Sequence, residues 1–388
     1  MGKQVTRGER VPDRAEMIAA IGRGELSFPP LTLCVRSLET ERQVGAGEER
    51  TPDAAVEAVW GEREFRFAAV CRAAESPKEV REAADAAVRA ARGGEGQPLV
   101  VVPFLPSGQL DSLLGREVSG LDLCGNGVLV VPGEVLVYRT GSPNRFLRRG
   151  TIKNVYRRSS SVVARLFLIV PAFDSVNDAR EEITRRGGTA TLGTVSKVCE
   201  ALDADLILER TRDSGAKNRK LRLLQGDMLL DRLAENYTPP TTGAVFVGRY
   251  AKSAEELIGV MAAWQKETDG RVVRAGVGSV DAYAVMAREP IDTFFCTDVP
   301  GLVSRLGADV RTGERFANLR LLQTRDELPY FDARPGFLAS PIQTYLELAA
   351  GDKRDRETAD QVRRLILGAL AKVPEKEVGG GPSADQSA

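Results

Sequence analysis

The sequence contains no histidine in its 388 residues. This absence excludes Ser-His-Asp and Cys-His catalysis and every metal site that depends on an imidazole ligand. The five cysteines are widely separated and form no CxxC pair, so reduced thiols in a cytoplasmic protein are the better interpretation. We therefore expect neither a bound metal nor another cofactor.

Long apolar runs are also missing from the sequence. No stretch approaches the length of a membrane span, and the first residues, MGKQVTRGERVP, lack the apolar centre of a signal peptide. These features predict a cytoplasmic protein that has no membrane partner.

Net charge is zero over the whole chain but is unevenly distributed. Residues 142–222 contain 17 lysine and arginine residues against nine aspartate and glutamate residues, a net charge of +8. A basic segment within an otherwise acidic chain is typical of a domain that binds a polyanion such as nucleic acid.

Residues 179–224 have the pattern of two helices followed by a β-hairpin. Residues 179–186 form a short helical segment, which Gly187-Gly188 ends in a tight turn. Threonines then supply helix caps, and the apolar positions of the next helix have helical spacing and predict one buried face. Those positions are Leu192, Val195, Val198, Cys199 and Leu202. Around residues 213–215 the apolar period changes to two, which indicates a hairpin.

This order of elements is typical of a winged helix-turn-helix, in which the second of the paired helices enters the major groove and the hairpin follows the phosphates. Like charges crowded on one hairpin are destabilising unless a polyanion neutralises them, so we predict binding to double-stranded DNA. The predicted base contacts are Thr189, Thr191, Thr194, Ser196 and Lys197. The predicted phosphate contacts on the hairpin are Arg210, Arg212, Lys217, Arg219, Lys220 and Arg222.

Domain boundaries follow from shifts in composition and from turn residues. Alternating strands and helices over residues 13–140 predict an α/β domain. A basic linker at 141–160 precedes the winged helix-turn-helix at 161–238, and a second α/β domain at 241–372 follows Pro239-Pro240. Residues 373–388 predict a disordered tail. The linker is either a solvated hinge or an arm with further phosphate contacts, namely Arg148, Arg149, Lys153, Arg157 and Arg158. The predicted fold class is α/β and α+β, with several domains.

The segment PLVVVPFLPSGQLDSLLGREVSGLDLCGNGVLVV resembles the nuclease-like domain of the PD-(D/E)xK superfamily. The version that it resembles occurs in bacterial regulators of the AbiEi-like, type IV antitoxin group. LDLCGN at 121–126 is the best local match and IQTYLEL at 342–348 is the second. The resemblance extends as far as Leu370. It implies a nuclease-like domain, a winged helix and a C-terminal domain similar to a nucleotidyltransferase, with a cognate toxin as a further partner.

An active nuclease would need two or three carboxylates around Mg²⁺ and a lysine beside the attacking water. Asp53 stands at the first acidic position, but the next strand reads FAAVCR, so Val70 and Arg72 would replace the carboxylate and the lysine. We therefore expect an inactive domain. A register shifted by one residue would exchange the two faces and bring in other carboxylates. These are Glu57, Glu62 and Glu64.

The AGVGS segment at 275–279 resembles the turn that nucleotidyltransferases place under a triphosphate. Such enzymes also need two carboxylates one residue apart, and the following strand, DTFFC, has no such pair. A tight strand-to-helix turn is the main expectation, and a ligand pocket without catalysis is the alternative.

Two functions are consistent with these patterns. The first is a sequence-specific transcriptional repressor that binds a palindrome as a homodimer, with half-sites about 34 Å apart. The alternative is a nucleic-acid-processing enzyme that uses one of the flanking α/β domains.

Overall fold

The computed structural model describes residues 9–24, 28–36, 52–74, 76–93, 96–146, 155–211, 219–285 and 291–372. The predicted tail at 373–388 lies outside these ranges. The protein is a mixed α/β structure, and its contacts divide it into two compact units. The first unit comprises Met1–Thr151 with Ala204–Leu206, and the second comprises Ile152–Asp203 with Ile207–Ala388.

A seven-stranded sheet forms the first unit, and its strands are neighbours in the order of the sequence. The strands are β1 (Thr32–Arg36), β2 (Ala54–Trp60), β3 (Arg63–Cys71), β4 (Gln97–Val102), β5 (Ser119–Asp122), β6 (Gly127–Val131) and β7 (Val135–Arg139). β3, β4 and β5 run parallel, whereas the other neighbouring pairs are antiparallel. Parallel strands need crossover connections, which the helices α2 (Pro77–Ala91) and α3 (Ser107–Leu114) supply.

Both faces of this sheet are covered by helices. α1 (Arg14–Gly22) packs on one face, and α2 and α3 pack on the other. α2 begins after Ser76, because Ser76 and Glu79 form a reciprocal capping box there. Coverage of both faces explains why the central strand β4 is a continuous apolar run.

The LDLCGN segment forms a buried polar turn after β5. The carboxylate of Asp122 is fully buried and accepts hydrogen bonds of 2.7 to 2.9 Å from three backbone N–H groups and from the Asn126 side chain. Asn126 in turn bonds to the backbone of Ser142. The start of the predicted linker is therefore attached to the first unit.

The second unit begins with three helices and a small antiparallel sheet. These helices are α4 (Ser161–Phe167), α5 (Val176–Arg185) and α6 (Leu192–Ala204). A hairpin follows, formed by β9 (Leu208–Thr211) and β10 (Lys220–Leu223). β8 (Ala172–Phe173) lies between α4 and α5 in the chain and pairs with β10, which gives the order β8-β10-β9. Two residues carry no detectable period, so the sequence pattern does not indicate β8.

A five-stranded sheet forms the rest of the second unit. Its strands are β11 (Val245–Tyr250), β12 (Val272–Arg274), β13 (Asp292–Cys296), β14 (Val310–Thr312) and β15 (Leu319–Gln323), in the order β12-β13-β15-β11-β14. The accompanying helices are α7 (Gly226–Glu235), α8 (Ala254–Glu267), α9 (Val299–Leu306), α10 (Pro341–Ala349) and α11 (Lys353–Ala371). The helix expected at the Gly-Ser turn of residues 275–279 is a short 3-10 helix at Val277–Ala282.

One hydrophobic core joins the two parts of the second unit. Buried side chains of α4 to α7 pack with those of α10 and α11, so the segments predicted as separate domains at 161–238 and 241–372 share this core. A buried polar contact adds to it, because Arg165 of α4 donates to the side chain of Gln343 at 2.7 Å. Burial lowers the pKa of Arg165 to about 10.

Candidate nucleic-acid interface

The turn between α5 and α6 depends on its two glycines. Gly187 has a φ of 76°, which side-chain-bearing residues rarely adopt. Gly188 is needed for packing, because a Cβ atom there would lie 2.8 Å from the Phe331 ring and 3.0 Å from methyl groups of Val162 and Ile183. A larger residue would push the turn away from the core, so the glycine pair sets the angle between the helices.

α6 begins at a capping threonine and buries most of its predicted apolar face. The Thr191 hydroxyl accepts a hydrogen bond of 3.1 Å from the backbone N–H of Thr194, and the two hydroxyls lie 2.9 Å apart. Val195, Val198, Cys199 and Leu202 are buried as predicted. Leu192 is 49% exposed, so the prediction that it faces the core is wrong.

The outer face of α6 carries one of the predicted base contacts, Lys197. Gly193, Lys197 and Glu200 follow the i, i+4, i+7 spacing of one helix face, and all three are exposed. Beside them, the hydroxyl of Ser196 donates to Glu200 at 3.4 Å. The hydroxyls of Thr191, Thr194 and Ser196 thus have partners within the protein.

Thr189 is held by an acidic side chain. Its hydroxyl donates to the carboxylate of Glu327. Nearby, the backbone N–H of Asp332 donates to the carbonyl of Arg186 at 3.0 Å, and the two side chains form an ion pair. The start of the predicted recognition helix is therefore attached to residues 327–332, and the Thr189 hydroxyl already has an acceptor.

The hairpin places its basic side chains unequally. Arg210 on β9 has a side chain that is only 8% exposed and pairs with Glu200 at 3.3 Å, so this predicted phosphate contact is withdrawn from solvent. Arg219 and Arg222 are exposed, whereas Lys220 is half-buried. The predicted contacts Arg212 and Lys217 lie outside the described residues.

The structure describes the later part of the predicted linker arm, from Val155 onward. Arg157 and Arg158 are exposed immediately before α4. Arg148, Arg149 and Lys153 lie outside the described residues.

Asp53 immediately precedes β2 and lies beside the end of β3. Its side chain is 4% exposed and forms ion pairs with Arg14 at 2.5 Å and with Arg72 at 2.7 Å. Its carboxylate also accepts a hydrogen bond of 2.8 Å from the backbone N–H of Cys71. Two guanidinium groups therefore neutralise the carboxylate that the sequence pattern offers as a metal ligand, and the Val70 side chain is buried.

The alternative carboxylates do not join Asp53. Glu57 lies directly opposite Arg66 across β2 and β3 and pairs with it at 3.5 Å. Glu62 and Glu64 are exposed near the hairpin at the opposite end of β2. Among the residues that the structure describes, no three acidic or cysteine side chains are grouped closely enough to hold a metal ion.

The Gly-Ser turn after β12 binds a carboxylate of this same chain. The backbone N–H of Gly276 donates to Glu347 at 2.7 Å, and the Val277 N–H also donates to this carboxylate. The side chain of Gln343 donates to its other oxygen at 2.7 Å. Burial of the Glu347 carboxylate raises its pKa above the usual value. The hydrogen bonds from Gln343, Gly276 and Val277 oppose this rise only in part. The donors predicted to face a triphosphate are therefore occupied by Glu347.

Comparison with known proteins found no matching family model, no similar curated protein and no matching solved structure. None of the helices within the described ranges combines the length and the hydrophobicity that are needed to span a bilayer.

Proposed function

We propose that this protein is a sequence-specific regulator that binds double-stranded DNA and acts as a transcriptional repressor. The observation that carries the proposal is the order α4, β8, α5, α6, β9, β10 with the sheet order β8-β10-β9. A winged helix has this arrangement. In it, α6 is the recognition helix and the hairpin of β9 and β10 is the wing that follows the phosphates.

The exposed surface of this region supports the proposal. The outer face of α6 includes Lys197 and is exposed to solvent, and the hairpin exposes Arg219 and Arg222. Arg157 and Arg158 add two exposed cations just before α4. When such cations neutralise phosphates, counterions are released from the DNA, and this release favours binding.

The resemblance to AbiEi-like regulators supports an antitoxin-like, self-regulating role in the bacterial cytoplasm, with a cognate toxin as a second partner. One recognition helix reads few base pairs, so the protein acts as a homodimer on a palindrome with half-sites about 34 Å apart. In this proposal the nuclease-like domain serves packing, dimerisation or contacts with the shape of the DNA. The contacts of Asp53 with Arg14 and Arg72 favour such a role over metal binding. The occupied Gly-Ser turn likewise favours a non-catalytic C-terminal domain.

Selection of bound duplexes from a random DNA pool tests this proposal, followed by titration of the enriched site at several salt concentrations. We expect one palindromic sequence to be enriched. Its log K should fall with log salt by about 0.9 for each neutralised phosphate. Enrichment of no sequence, or an affinity that does not respond to salt, would contradict the proposal.

A further inference from the structure

The first turn of α6 exposes an apolar side chain that folding does not explain. Leu192 lies at the first position of the helix and is 49% exposed, although the residues that continue its helical row, Val195 and Cys199, are fully buried. Leu192 is also four residues before Ser196, so its side chain borders the outer face that carries Lys197.

The next residue, Gly193, is not required by the packing of the protein. A Cβ atom at this position would meet only the hydroxyl of Thr191, at 4.0 Å. Glycine destabilises a helix relative to alanine, so the fold alone would favour a larger residue here. Glycine does, however, let another molecule approach the helix backbone closely, and Gly193 shares its exposed face with Lys197 and Glu200.

The hydroxyl groups around this turn have partners within the protein. Thr189 bonds to Glu327, Thr191 to Thr194, and Ser196 to Glu200. Hydrogen bonding by these side chains is thus already largely satisfied. An apolar contact to a base edge needs no donor, and thymine is the base that presents a methyl group in the major groove.

Building on the DNA-binding function proposed above, we infer that the first turn of α6 reads a thymine. Leu192 packs against the C5-methyl group, and Gly193 allows the helix to come close enough for this contact. Lys197, one turn further on, provides the cation that complements the acceptors of the groove or a neighbouring phosphate.

Replacement of thymine by deoxyuridine tests the contact, because it removes the methyl group and keeps the base pairing. Each thymine of the enriched duplex is replaced in turn, and affinity is measured by fluorescence anisotropy. We expect one position in each half-site at which deoxyuridine weakens binding by about fourfold, as burial of one methyl group predicts. In the Leu192→Ala variant this difference between thymine and deoxyuridine should disappear. Leu365→Ala, which alters another exposed leucine at 42% exposure on α11, is the control and should retain it.

A second variant tests the close approach. Gly193→Ala should raise the midpoint of thermal unfolding, since alanine favours the helix, and should still weaken binding to the enriched duplex. If Gly193→Ala binds as well as the wild type, the close approach is wrong.

If the wild type binds thymine and deoxyuridine duplexes equally, or if Leu192→Ala keeps the difference, the thymine contact is wrong while DNA binding stands. If the wild type binds no duplex, the proposed function fails together with this inference.

Discussion

The negative charge of Asp53 is paired with two arginines within the first unit. Its enclosed carboxylate accepts hydrogen bonds from Arg72 and from the backbone of Cys71, and pairs with Arg14. We expect Asp53→Asn to lower the free energy of unfolding by about 1.5–3 kcal/mol, the range for a hydrogen bond to a charged group. Both arginines are about half exposed, so solvent screening places the effect towards the lower end. Urea unfolding followed by circular dichroism measures this change.

Glu82→Gln on the exposed face of α2 is the control for Asp53→Asn and should change stability by less than about 0.5 kcal/mol. The same proteins, incubated with supercoiled DNA and Mg²⁺ or Mn²⁺, should leave the DNA intact. Cleavage by the wild type that is lost in Asp53→Asn would contradict the structural role of Asp53 and would favour the nuclease alternative.

Glu182 makes stability depend on pH. The hydrogen bond from Arg185, followed by that from Arg186, lowers the pKa of Glu182 below its usual 4.5, although burial opposes this effect. The folded state therefore favours the ionised carboxylate. The stability that it contributes is complete above about pH 4.5 and is lost as the pH falls through the lower pKa of the folded state. Glu182→Gln should therefore lose less stability than the wild type between about pH 5 and pH 3.

Denaturant unfolding at several pH values measures this difference through Trp264, which is buried in the second unit. Trp60→Phe removes the other of the two tryptophans and isolates this signal. Glu181→Gln, next to Glu182 but largely exposed, is the matched control and should keep the wild-type pH dependence. Equal pH dependence in the wild type and in Glu182→Gln would show that the ion pairs with Arg185 and Arg186 do not stabilise the fold.

At the scale of elements, α6 and the hairpin should contribute differently to DNA binding. Lys197 lies on the outer face of α6, whereas Arg219 lies just before β10. Lys197→Ala should cost about 1–3 kcal/mol of binding free energy on the preferred site and little on random DNA. Arg219→Ala should weaken binding to both DNAs alike and reduce the salt slope by about 0.9.

The control for these two variants is Lys266→Ala, which removes an exposed cation near the end of α8. It should leave both affinities and the salt slope nearly unchanged. If Lys197→Ala and Arg219→Ala lose the same factor on both DNAs, α6 is not the element that reads the sequence.

At the scale of the second unit as a whole, the C-terminal part places an acidic group at the start of α6. Glu327 accepts the hydroxyl hydrogen of Thr189, and its negative charge would repel approaching phosphates. Glu327→Gln keeps an acceptor for Thr189 but removes the charge. We expect this variant to associate with DNA faster than the wild type. Because salt screens exposed charges, the difference should shrink as ionic strength rises.

Stopped-flow association kinetics at two salt concentrations measure the effect of Glu327→Gln. Glu255→Gln, in the first turn of α8, changes the net charge by the same amount and is the matched control. An equal increase in both variants would mean that only net charge matters and that Glu327 does not lie beside the bound DNA.

The sequence by itself determined most of the local structure. The spacing from Val195 to Leu202 predicted α6, Gly187-Gly188 predicted the turn before it, and the change of apolar period predicted the hairpin of β9 and β10. Capping, helical period and strand period depend on residues only a few positions apart, so the sequence contains this information directly. The mixed α/β class follows from the order of these elements.

Only the tertiary structure decided which chemical groups meet. Glu347 fills a turn 71 residues earlier in the chain, and Thr189 bonds to Glu327 across 138 residues. Arg210 has the basic charge expected of a wing, yet pairing with Glu200 withdraws it from solvent. Leu192 has the spacing of a core residue, yet it lies on the surface. The period of a helix indicates which residues share a face, but only the packing of distant segments determines which part of that face is covered and which charges find partners.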